Sequence, residues 1–299
     1  MLPHHRRRRA VATLVLAAAV VAVAAAAVFA LPAGGGSSPR PILIHDPAGF
    51  LARIRALVGA GARSFAASQR TAENAAIDRT LTYTPYLRVA GRQHREIALT
   101  FDDGPGPYTP RVLSILQAQN VPATFFEVGL LERYFHDSTS KIVADGYVIG
   151  DHTMDHAPMS LLSPANQRAQ LLEQIATIQR YGAPFPRLFR PPYGLWNRVT
   201  LALLHSYRML MVLWTVDTND YLRPGVSAIV HSVLAGARPG AIILLHDAGG
   251  DRSQTVHALP KIISALRARG YRFATVPQLL LDNPPPHNQQ ISAILGTGG

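Results

Sequence analysis

The sequence contains no cysteine and only two lysines, Lys141 and Lys261, among its 29 basic residues. The absence of cysteine excludes disulfide scaffolds, thiolate zinc sites and cysteine nucleophiles. Charged residues are also scarce, at 16% against 48% hydrophobic, which excludes a disordered polyelectrolyte. The 23 glycines among 299 residues are far too few for a collagen repeat. A chain of this length and composition is expected to fold around a sizeable core.

The net charge of +11 is unevenly distributed along the chain. Residues 1–39 contribute +4 from four arginines, residues 40–90 contribute another +4, and residues 91–299 contribute only +3. The excess basicity therefore lies outside the predicted main domain, and that domain contains no basic patch interleaved with aromatic residues. Nucleic acid is not an expected partner, because a nucleic-acid-binding domain carries such a patch.

The amino terminus has the pattern of a membrane anchor. Four arginines at positions 6–9 precede an uncharged, mostly Ala/Val run over residues 10–31. About 20 apolar residues suffice to span a bilayer. The arginines should remain in the cytoplasm, which places everything after the run outside. We expect an uncleaved signal-anchor in the cell membrane; the alternative is a cleaved signal and a secreted protein, with Ala30 and Ala33 as candidate cleavage residues.

Composition divides the rest of the chain into further segments. A Gly/Ser-rich run at 34–39 is typical of a flexible linker, and residues 47–80 have helical spacing that predicts a stalk helix or a brace on the main domain. The predicted domain organisation is an anchor at 1–31, a linker and stalk at 32–94, a main domain at 95–282, and a flexible carboxyl-terminal tail at 283–299.

From residue 96 onward, short β-rich runs alternate with longer amphipathic ones. This alternation indicates a parallel β/α architecture, either a barrel or a doubly wound sheet. Proline in the first turn after Thr109 and after Ser163 marks two helix starts. The predicted strands are 97–101, 123–128, 147–149, 188–189, 210–216, 241–245 and 273–276.

Polar residues follow five of these strands. The carboxyl ends of parallel strands meet on one face of a β/α barrel, where such folds build their active sites. One polar residue after a strand is an ordinary cap, whereas five clusters predict a functional site. In chain order the clusters are Asp102 and Asp103, Asp151 and His152, Arg190, Asp217 and Asp220, and His246 and Asp247.

A pair of histidines has metal-ligand spacing. His152 and His156 are four residues apart, which places both imidazoles on one face of a helical turn. Because the chain has no cysteine, a third ligand should be a carboxylate, and Asp103 is a candidate. Two histidines and one carboxylate leave an open position on zinc, as catalytic sites require. A metal in such a site lowers the pKa of bound water toward about 7 and polarises a carbonyl.

The remaining polar residues supply the groups that hydrolysis needs. Asp102 is a candidate general base. Arg190 could keep that carboxylate ionised through a bidentate pair. His246 is a candidate acid for the leaving group, and a carboxylate such as Asp220 could orient it and raise its pKa.

Five segments together resemble a known family. Thr100 to Pro105, His152 to His156, Arg190 to Tyr193, Asp217 to Tyr221 and Leu244 to His246 are similar to the five ordered motifs of the polysaccharide deacetylase family. This family includes the chitin and peptidoglycan N-acetylglucosamine deacetylases. The resemblance covers residues 95–282 and leaves the predicted anchor and stalk outside it.

The resemblance implies a distorted (β/α) barrel of about seven parallel strands that removes acetyl groups from a glycan with the help of a divalent metal. It implies that Asp102 is the base and Arg190 orients it, and that His246 is the acid, tuned by Asp220. The resemblance also implies metal ligands, an oxyanion donor and substrate contacts. These are Asp103, His152 and His156 for the metal, the backbone N–H of Tyr193 for the oxyanion, and Tyr193, Tyr221 and Leu244 for the substrate.

The fourth motif departs from the family pattern, because Tyr221 stands where tryptophan is usual. Tyrosine keeps an aromatic wall but adds a hydroxyl group that needs a partner. The departure bears on substrate preference and leaves the reaction type unchanged.

The expected substrate is an N-acetylglucosamine polymer of the cell envelope, most directly peptidoglycan, and the expected cofactor is one zinc ion, with cobalt or manganese as alternatives. An O-acetyl esterase, a deacetylase of chitin oligomers and a deacetylase of another exopolysaccharide are the rival enzymes. An inactive glycan-binding domain is a rival of a different class. The intact Asp102, Asp103 and His246 argue against it.

Overall fold

The computed structural model describes residues 47–289, in which helices and short strands alternate. The strands in this part of the chain are β1 Tyr86–Leu87, β2 Glu96–Gly104, β3 Thr124–Glu127, β4 Val148–Asp151, β5 Leu188–Phe189, β6 Leu210–Val212, β7 Val216–Asp217, β8 Ala241–His246 and β9 Arg272–Phe273. The α-helices are α1 Pro47–Leu81, α2 Thr109–Ala118, α3 Gly129–Tyr134, α4 His136–Ala144, α5 Pro164–Arg180, α6 Arg198–Ser206, α7 Val226–Gly236, α8 Ser253–Ala268 and α9 Val276–Asp282. Three short 3₁₀ turns lie at Met159–Leu161, Pro192–Gly194 and Asp220–Leu222.

All strand pairs of residues 47–289 are parallel and belong to one sheet. The order is β1-β6-β5-β4-β3-β2-β8-β7, and β9 pairs with the first residues of β2. The sheet is a curled half-barrel, so the prediction of a distorted parallel barrel is confirmed in this form.

The predicted count of about seven strands is wrong, since the described residues form nine. The predicted strand 210–216 is two strands, β6 and β7, which lie at opposite ends of the sheet order. The predicted strand 273–276 ends at Phe273, because Thr275 caps α9 and accepts a hydrogen bond from Gln278 N at 3.2 Å. β1 was not predicted, because a two-residue strand carries no alternating pattern.

Alternation along β2 separates the core from the site. Leu99 and Phe101 are fully buried in the cluster that also contains the apolar faces of α2 and α8. Thr100 and Asp102 point to the opposite, inner face, because successive side chains of a strand alternate. The fully buried Arg190 meets both of them there. The hydrophobic core therefore supports the sheet from outside and leaves its inner face to polar side chains.

The last turns of α1 pack on the sheet domain. Ala76 and Ile77 are buried in a cluster with residues of α9, and Asp78 pairs with Arg208 at 2.9 Å. The helix predicted over 47–80 is present, and its last turns pack against the main domain as a brace would. Packing thus begins well before residue 95. The chain divides into the units Met1–Gly59 and Ala60–Gly299, of which the second contains the sheet.

The predicted flexible tail at 283–299 is wrong for its first residues. Asn283 is fully buried and donates to Glu96 Oε2 at 2.9 Å, and the Gln289 side chain accepts from Val89 N at 3.0 Å. No helix within residues 47–289 is long and apolar enough to cross a membrane. The predicted anchor at 10–31 and linker at 34–39 lie outside the described residues.

Candidate active site

The sheet brings the five predicted polar clusters to one edge. In the register of the strands, Asp102 lies beside His246 and Asp217 beside Leu244. Asp151, which ends β4, lies beside Phe189, directly before Arg190. The clusters therefore meet because each follows the carboxyl end of a neighbouring parallel strand.

Asp102 and Arg190 form a buried ion pair. Arg190 Nη1 donates to Asp102 Oδ1 at 2.6 Å and to Thr100 Oγ1 at 2.9 Å, and Arg190 Nε donates to the Val212 carbonyl at 3.0 Å. The guanidinium carbon lies 4.1 Å from the centre of the Phe126 ring. With its donors occupied and its face packed, Arg190 holds a fixed positive charge against the Asp102 carboxylate.

His246 and Asp220 form a second buried pair. His246 Nδ1 lies 2.7 Å from Asp220 Oδ1, and Asp220 Oδ2 accepts from His246 N at 2.9 Å and from Thr255 Oγ1 at 2.7 Å. Burial opposes the charge of His246, but the hydrogen bond and charge of Asp220 outweigh it and raise the pKa of His246 to about 9. Burial likewise opposes ionisation of Asp220, yet the bond from His246 lowers its pKa. At neutral pH the pair is an imidazolium and a carboxylate.

Asp103, His152 and His156 form the group of candidate metal ligands in the described residues, with donor atoms all within 4.8 Å of one another. Asp103 Oδ1 lies 3.6 Å from His152 Nε2 and 3.1 Å from His156 Nε2. Tetrahedral ligands about 2.0–2.1 Å from zinc are separated by about 3.3 Å, so these separations suit such an ion. Both distances fit a cation held between the three side chains.

Hydrogen bonds on the far side of each imidazole fix its orientation. His152 Nδ1 lies 2.7 Å from the Arg190 carbonyl oxygen, which can only accept, so Nδ1 carries the proton and Nε2 keeps its lone pair. His156 Nδ1 lies 3.0 Å from the Tyr193 hydroxyl. Partners of this kind on the second ring nitrogen are typical of metal-binding histidines.

The His152–His156 segment is not the helical turn that the spacing predicted. Its residues form no helix, and Thr153 and His156 have φ of 70° and 62°. Asp103 and Tyr193 also have positive φ, 67° and 59°. Such conformations cost non-glycine residues of order 1 kcal/mol each and are concentrated at functional sites. The two imidazoles are brought together by a bent loop, with ring centres 5.0 Å apart.

Gln170 on α5 braces this loop and was not predicted. Its Oε1 accepts from Met154 N at 3.0 Å and from Asp155 N at 3.1 Å, two of the three amides between the histidines. One turn further on, Gln174 donates to the Glu127 carbonyl at 2.8 Å. No sequence motif marks Gln170, because a glutamine on an amphipathic helix is usually a solvent-exposed residue.

The carboxylate of Asp103 is held ionised. Burial opposes its charge, but the adjacent His152 and His156 side chains outweigh that effect and lower the pKa of Asp103 far below its usual value. Gly249, with φ of 71°, lies against this carboxylate, and a Cβ there would come 2.3 Å from Asp103 Oδ2. Any side chain at position 249 would displace Asp103.

The three predicted substrate contacts lie at this edge. Tyr193 is 65% exposed, Tyr221 is 42% exposed, and Leu244 is nearly buried beside them in β8. The Tyr221 ring packs edge-on against His246, with centres 5.3 Å apart, and its hydroxyl donates to Asn219 Oδ1 at 3.1 Å. The hydroxyl that replaces the usual indole therefore has a partner. The Tyr193 backbone N–H has no acceptor among the described residues, as an oxyanion donor requires.

Several large apolar side chains of the described part are exposed, and all of them lie in segments that connect the carboxyl end of one strand to the next. Two of them, Tyr193 and Tyr221, contact the site histidines His156 and His246. Apolar and aromatic surface beside a polar centre is suited to the faces of sugar rings. The residues are Leu130, Tyr134, Leu161, Tyr193, Tyr221 and Leu222.

A second set of carboxyl groups lies behind the site without cationic partners. Glu127, Glu132, Asp151 and Asp247 are fully buried, and each has one side-chain oxygen with no hydrogen-bond partner in the described structure. Burial raises the pKa of all four, to about 7 for Glu132 and Asp247. These groups favour the protonated form.

Comparison with known proteins agrees with this geometry. Residues 90–212 match the sequence model of the polysaccharide deacetylase family. The chain is 42% identical over 199 residues to a chitooligosaccharide deacetylase of Bradyrhizobium sp. (strain ANU 289), covering 62% of this chain and 90% of the relative. It is 41% identical over 187 residues to a peptidoglycan-N-acetylglucosamine deacetylase of Bacillus cereus, covering 62% and 87%. A solved structure of a peptidoglycan N-acetylglucosamine deacetylase superposes with a TM-score of 0.65 at 34% identity, covering 67% of this chain and 94% of that one.

Proposed function

The chain belongs to the polysaccharide deacetylase family of hydrolases, and from that membership we propose that it removes acetyl groups from N-acetylglucosamine residues of peptidoglycan. The observation that carries the proposal is that the site contains two buried ion pairs. Asp102 with Arg190 at 2.6 Å and His246 with Asp220 at 2.7 Å flank the candidate ligands. One couple holds a base ionised and the other holds an acid protonated.

We propose one divalent cation, zinc, between Asp103, His152 and His156. The separations of the three donor atoms and the proton on His152 Nδ1 support it. A cation bound there supplies a Lewis acid for the acetyl carbonyl and makes a water molecule acidic. Cobalt and manganese accept the same donor set.

The residues of the chain perform the proton transfers. The Asp102 carboxylate takes a proton from the attacking water, whose oxygen bonds to the acetyl carbon. The Tyr193 N–H is placed to donate to the oxygen that becomes negative. Protonated His246 gives its proton to the amine nitrogen as the carbon–nitrogen bond breaks, so acetate and a free glucosamine amine are released. Asp220 keeps that proton on His246 until the transfer.

Two features favour peptidoglycan as the substrate, the expected membrane anchor and the exposed aromatic side chains at the site. A chain anchored by residues 10–31 reaches only the polymers beside the outer face of the membrane. The exposed rings of Tyr193 and Tyr221 offer flat surfaces for sugar rings beside His156 and His246. The two relatives above are named for the deacetylation of chitooligosaccharides and of peptidoglycan N-acetylglucosamine.

Released acetate measures the substrate preference directly. Purified protein is incubated with peptidoglycan, soluble chitin oligomers and an O-acetylated xylan. We expect acetate and new free amines from peptidoglycan first. Acetate from the O-acetylated glycan alone would show that the protein is an esterase. A preference for chitin oligomers would make these oligomers, and not peptidoglycan, the proposed substrate.

Elemental analysis tests the cation. We expect about one zinc per chain, loss of turnover on chelation and recovery on addition of metal. The Asp103→Asn variant should lose metal, whereas Asp102→Asn should keep it. Full turnover by metal-free protein would refute the metal site, and metal loss in Asp102→Asn would mean that the two aspartates exchange roles.

The amino-terminal sequence of the mature protein tests the anchor. We expect the protein in the membrane fraction with residues 10–31 attached. Mature protein in the medium that begins between about residues 31 and 36 would show a cleaved signal.

A further inference from the structure

A second pocket lies at the end of the sheet that is remote from the site. It has a volume of about 610 Å³ and is lined by Arg238, which lies two residues before Gly240. Gly240 precedes β8, and its N–H donates to the Glu96 carbonyl at 2.8 Å. Glu96 begins β2 and Asp102 lies six residues further on, which is about 20 Å along a strand. The pocket is therefore separate from the catalytic centre.

Three distant segments build this pocket, and hydrogen bonds hold them in place. Ala90 N donates to the Gly240 carbonyl at 2.9 Å, Gly91 N donates to the Asn283 carbonyl at 3.0 Å, and Tyr83 Oη donates to the Pro285 carbonyl at 3.1 Å. Gly240 has φ of 79°, and a Cβ there would lie 2.3 Å from the Ala90 carbonyl oxygen. Two of these contacts between the segments are backbone–backbone, and the Tyr83 side chain makes the third.

The lining carries positive charge with no acidic counterpart. Arg79, Arg92 and Arg238 line the pocket together with His287, and no aspartate or glutamate does. Within residues 47–289 the three guanidinium groups have no hydrogen-bond or ion-pair partner.

Arginines of this chain that lie near a carboxylate pair with it, for example Arg190 with Asp102 and Arg272 with Glu96 at 2.7 Å. The pocket offers its arginines no carboxylate. Because Arg79, Arg92 and Arg238 are exposed, their guanidinium groups are accessible to an anion from solution.

We propose that this pocket binds a phosphate group carried on a polar organic unit such as glycerol or a sugar. Guanidinium groups bind phosphate oxygens through paired N–H donors, and several of them can bind one tetrahedral anion together. The volume is in the range of about 300–1,000 Å³ of ligand pockets and exceeds what a bare phosphate fills. The Tyr83 and His287 rings, stacked with centres 4.0 Å apart, give the organic unit a flat wall. The proposal does not depend on the deacetylase activity.

Calorimetric titration of the full-length protein in detergent with glycerol 3-phosphate tests the proposal. The pocket variant is Arg92→Gln/Arg238→Gln, and the matched control is Arg111→Gln/Arg180→Gln, which removes two exposed arginines elsewhere. We expect saturable binding that inorganic phosphate competes for, that glycerol does not reproduce and that added salt weakens. Loss of a charge-assisted hydrogen bond costs tenfold or more in affinity, so the pocket variant should bind at least tenfold more weakly. The control variant should bind like the wild type, and both variants should keep normal acetate release.

Vesicles distinguish the two sources of a phosphate ester. Phosphatidylglycerol and phosphatidylcholine vesicles are compared for the wild type and both variants, which share residues 10–31. Retention on phosphatidylglycerol that only the pocket variant loses would support the site and identify a lipid headgroup as its ligand. Equal affinity of both variants for glycerol 3-phosphate, or no binding to ester and vesicle alike, would overturn the proposal.

Discussion

The carboxyl groups near the site fall into two sets with opposite behaviour. Asp102 and Asp220 are ion-paired with Arg190 and His246, and Asp103 lies 3.1 Å from His156 Nε2. Glu127, Glu132, Asp151 and Asp247 are as deeply buried but face no cation, and each leaves one oxygen without a partner in the described structure. The first set can hold charge and move protons. The second set is neutral by preference, because burial without a counter-charge raises the pKa of a carboxyl group.

The comparison shows that position after a strand does not identify a catalytic carboxylate. Asp102 lies near the end of β2, Asp151 ends β4 and Asp247 directly follows β8. Asp151 and Asp247 are each adjacent in sequence to a site histidine. What differs is the partner. Asp247 accepts from Thr109 Oγ1 at 2.5 Å, a neutral donor, whereas Asp102 accepts from a guanidinium.

The largest expected effects come from removing the reactive member of each ion-paired couple. Asp102→Asn and His246→Ala should each lower turnover about 10²–10⁴-fold, the usual contribution of a general base or acid. Metal content should remain near one per chain, because neither residue belongs to the Asp103, His152 and His156 group. Steady-state acetate release with elemental analysis measures both. Turnover within tenfold of the wild type for either variant would remove that residue from its proposed role.

Asp220→Asn should change the pH profile. The acid form of His246 is fully present below its pKa and is lost as pH rises through about 9, so turnover should fall above that pH. Without the Asp220 charge, the pKa of His246 returns to about 6.5 or below, and at pH 7.5 about a tenth of the molecules keep the proton. We expect a roughly tenfold loss at pH 7.5 and a smaller loss at pH 6. An unchanged alkaline limb would show that Asp220 does not set the acidity of His246.

Much of the site could be predicted from the sequence, because the chemistry resides in short motifs that follow predictable strands. Asp102, Arg190, His246 and Asp220 lie together as expected. The neutral set could not be separated from them, since burial and the absence of a cation depend on segments far apart in the chain. Glu127, for example, meets Gln174 of α5 and Thr139 of α4.

The fold was predictable in its alternation and less so in its details. Long buried runs such as β2 and β8 have a clear pattern, whereas the two-residue strands β1 and β7 are defined by their neighbours. The bent loop at His152–His156 depends on Gln170 and on positive φ angles, so residue spacing alone suggested a helix. The packing of residues 283–289 depends on the buried Asn283 and Gln289, which a polar, proline-rich sequence does not reveal.

Replacing a neutral carboxyl group should alter the pH dependence of stability. Burial raises the pKa of Asp247 from 3.8 to about 7. The hydrogen bond from Thr109 opposes this effect, and the negative charges of Asp103 and Asp102 add to it. Between these values the unfolded chain loses the proton while the folded protein keeps it. The stability present below pH 3.8 is therefore lost as pH rises toward 7, by up to about 1.4 kcal/mol per pH unit. We expect the free energy of unfolding, measured with urea between pH 5 and 7, to fall less steeply with pH in Asp247→Asn than in the wild type. The same dependence on pH in both proteins would contradict the prediction.

The smallest expected effect is that of Asp247→Asn on turnover. Asparagine has the shape of the protonated acid, and its carbonyl can still accept from Thr109 Oγ1. Because Asp247 contributes no obligatory charge to the site, turnover at pH 6 should stay within about twofold of the wild type, although His246 is the preceding residue. Asp220→Asn, assayed alongside at pH 7.5, is the matched replacement in the ion-paired set. If Asp247→Asn at pH 6 lost the roughly tenfold turnover that Asp220→Asn is expected to lose at pH 7.5, the Asp247 charge would participate in the reaction. The division between ion-paired and neutral carboxyl groups would then fail at this position.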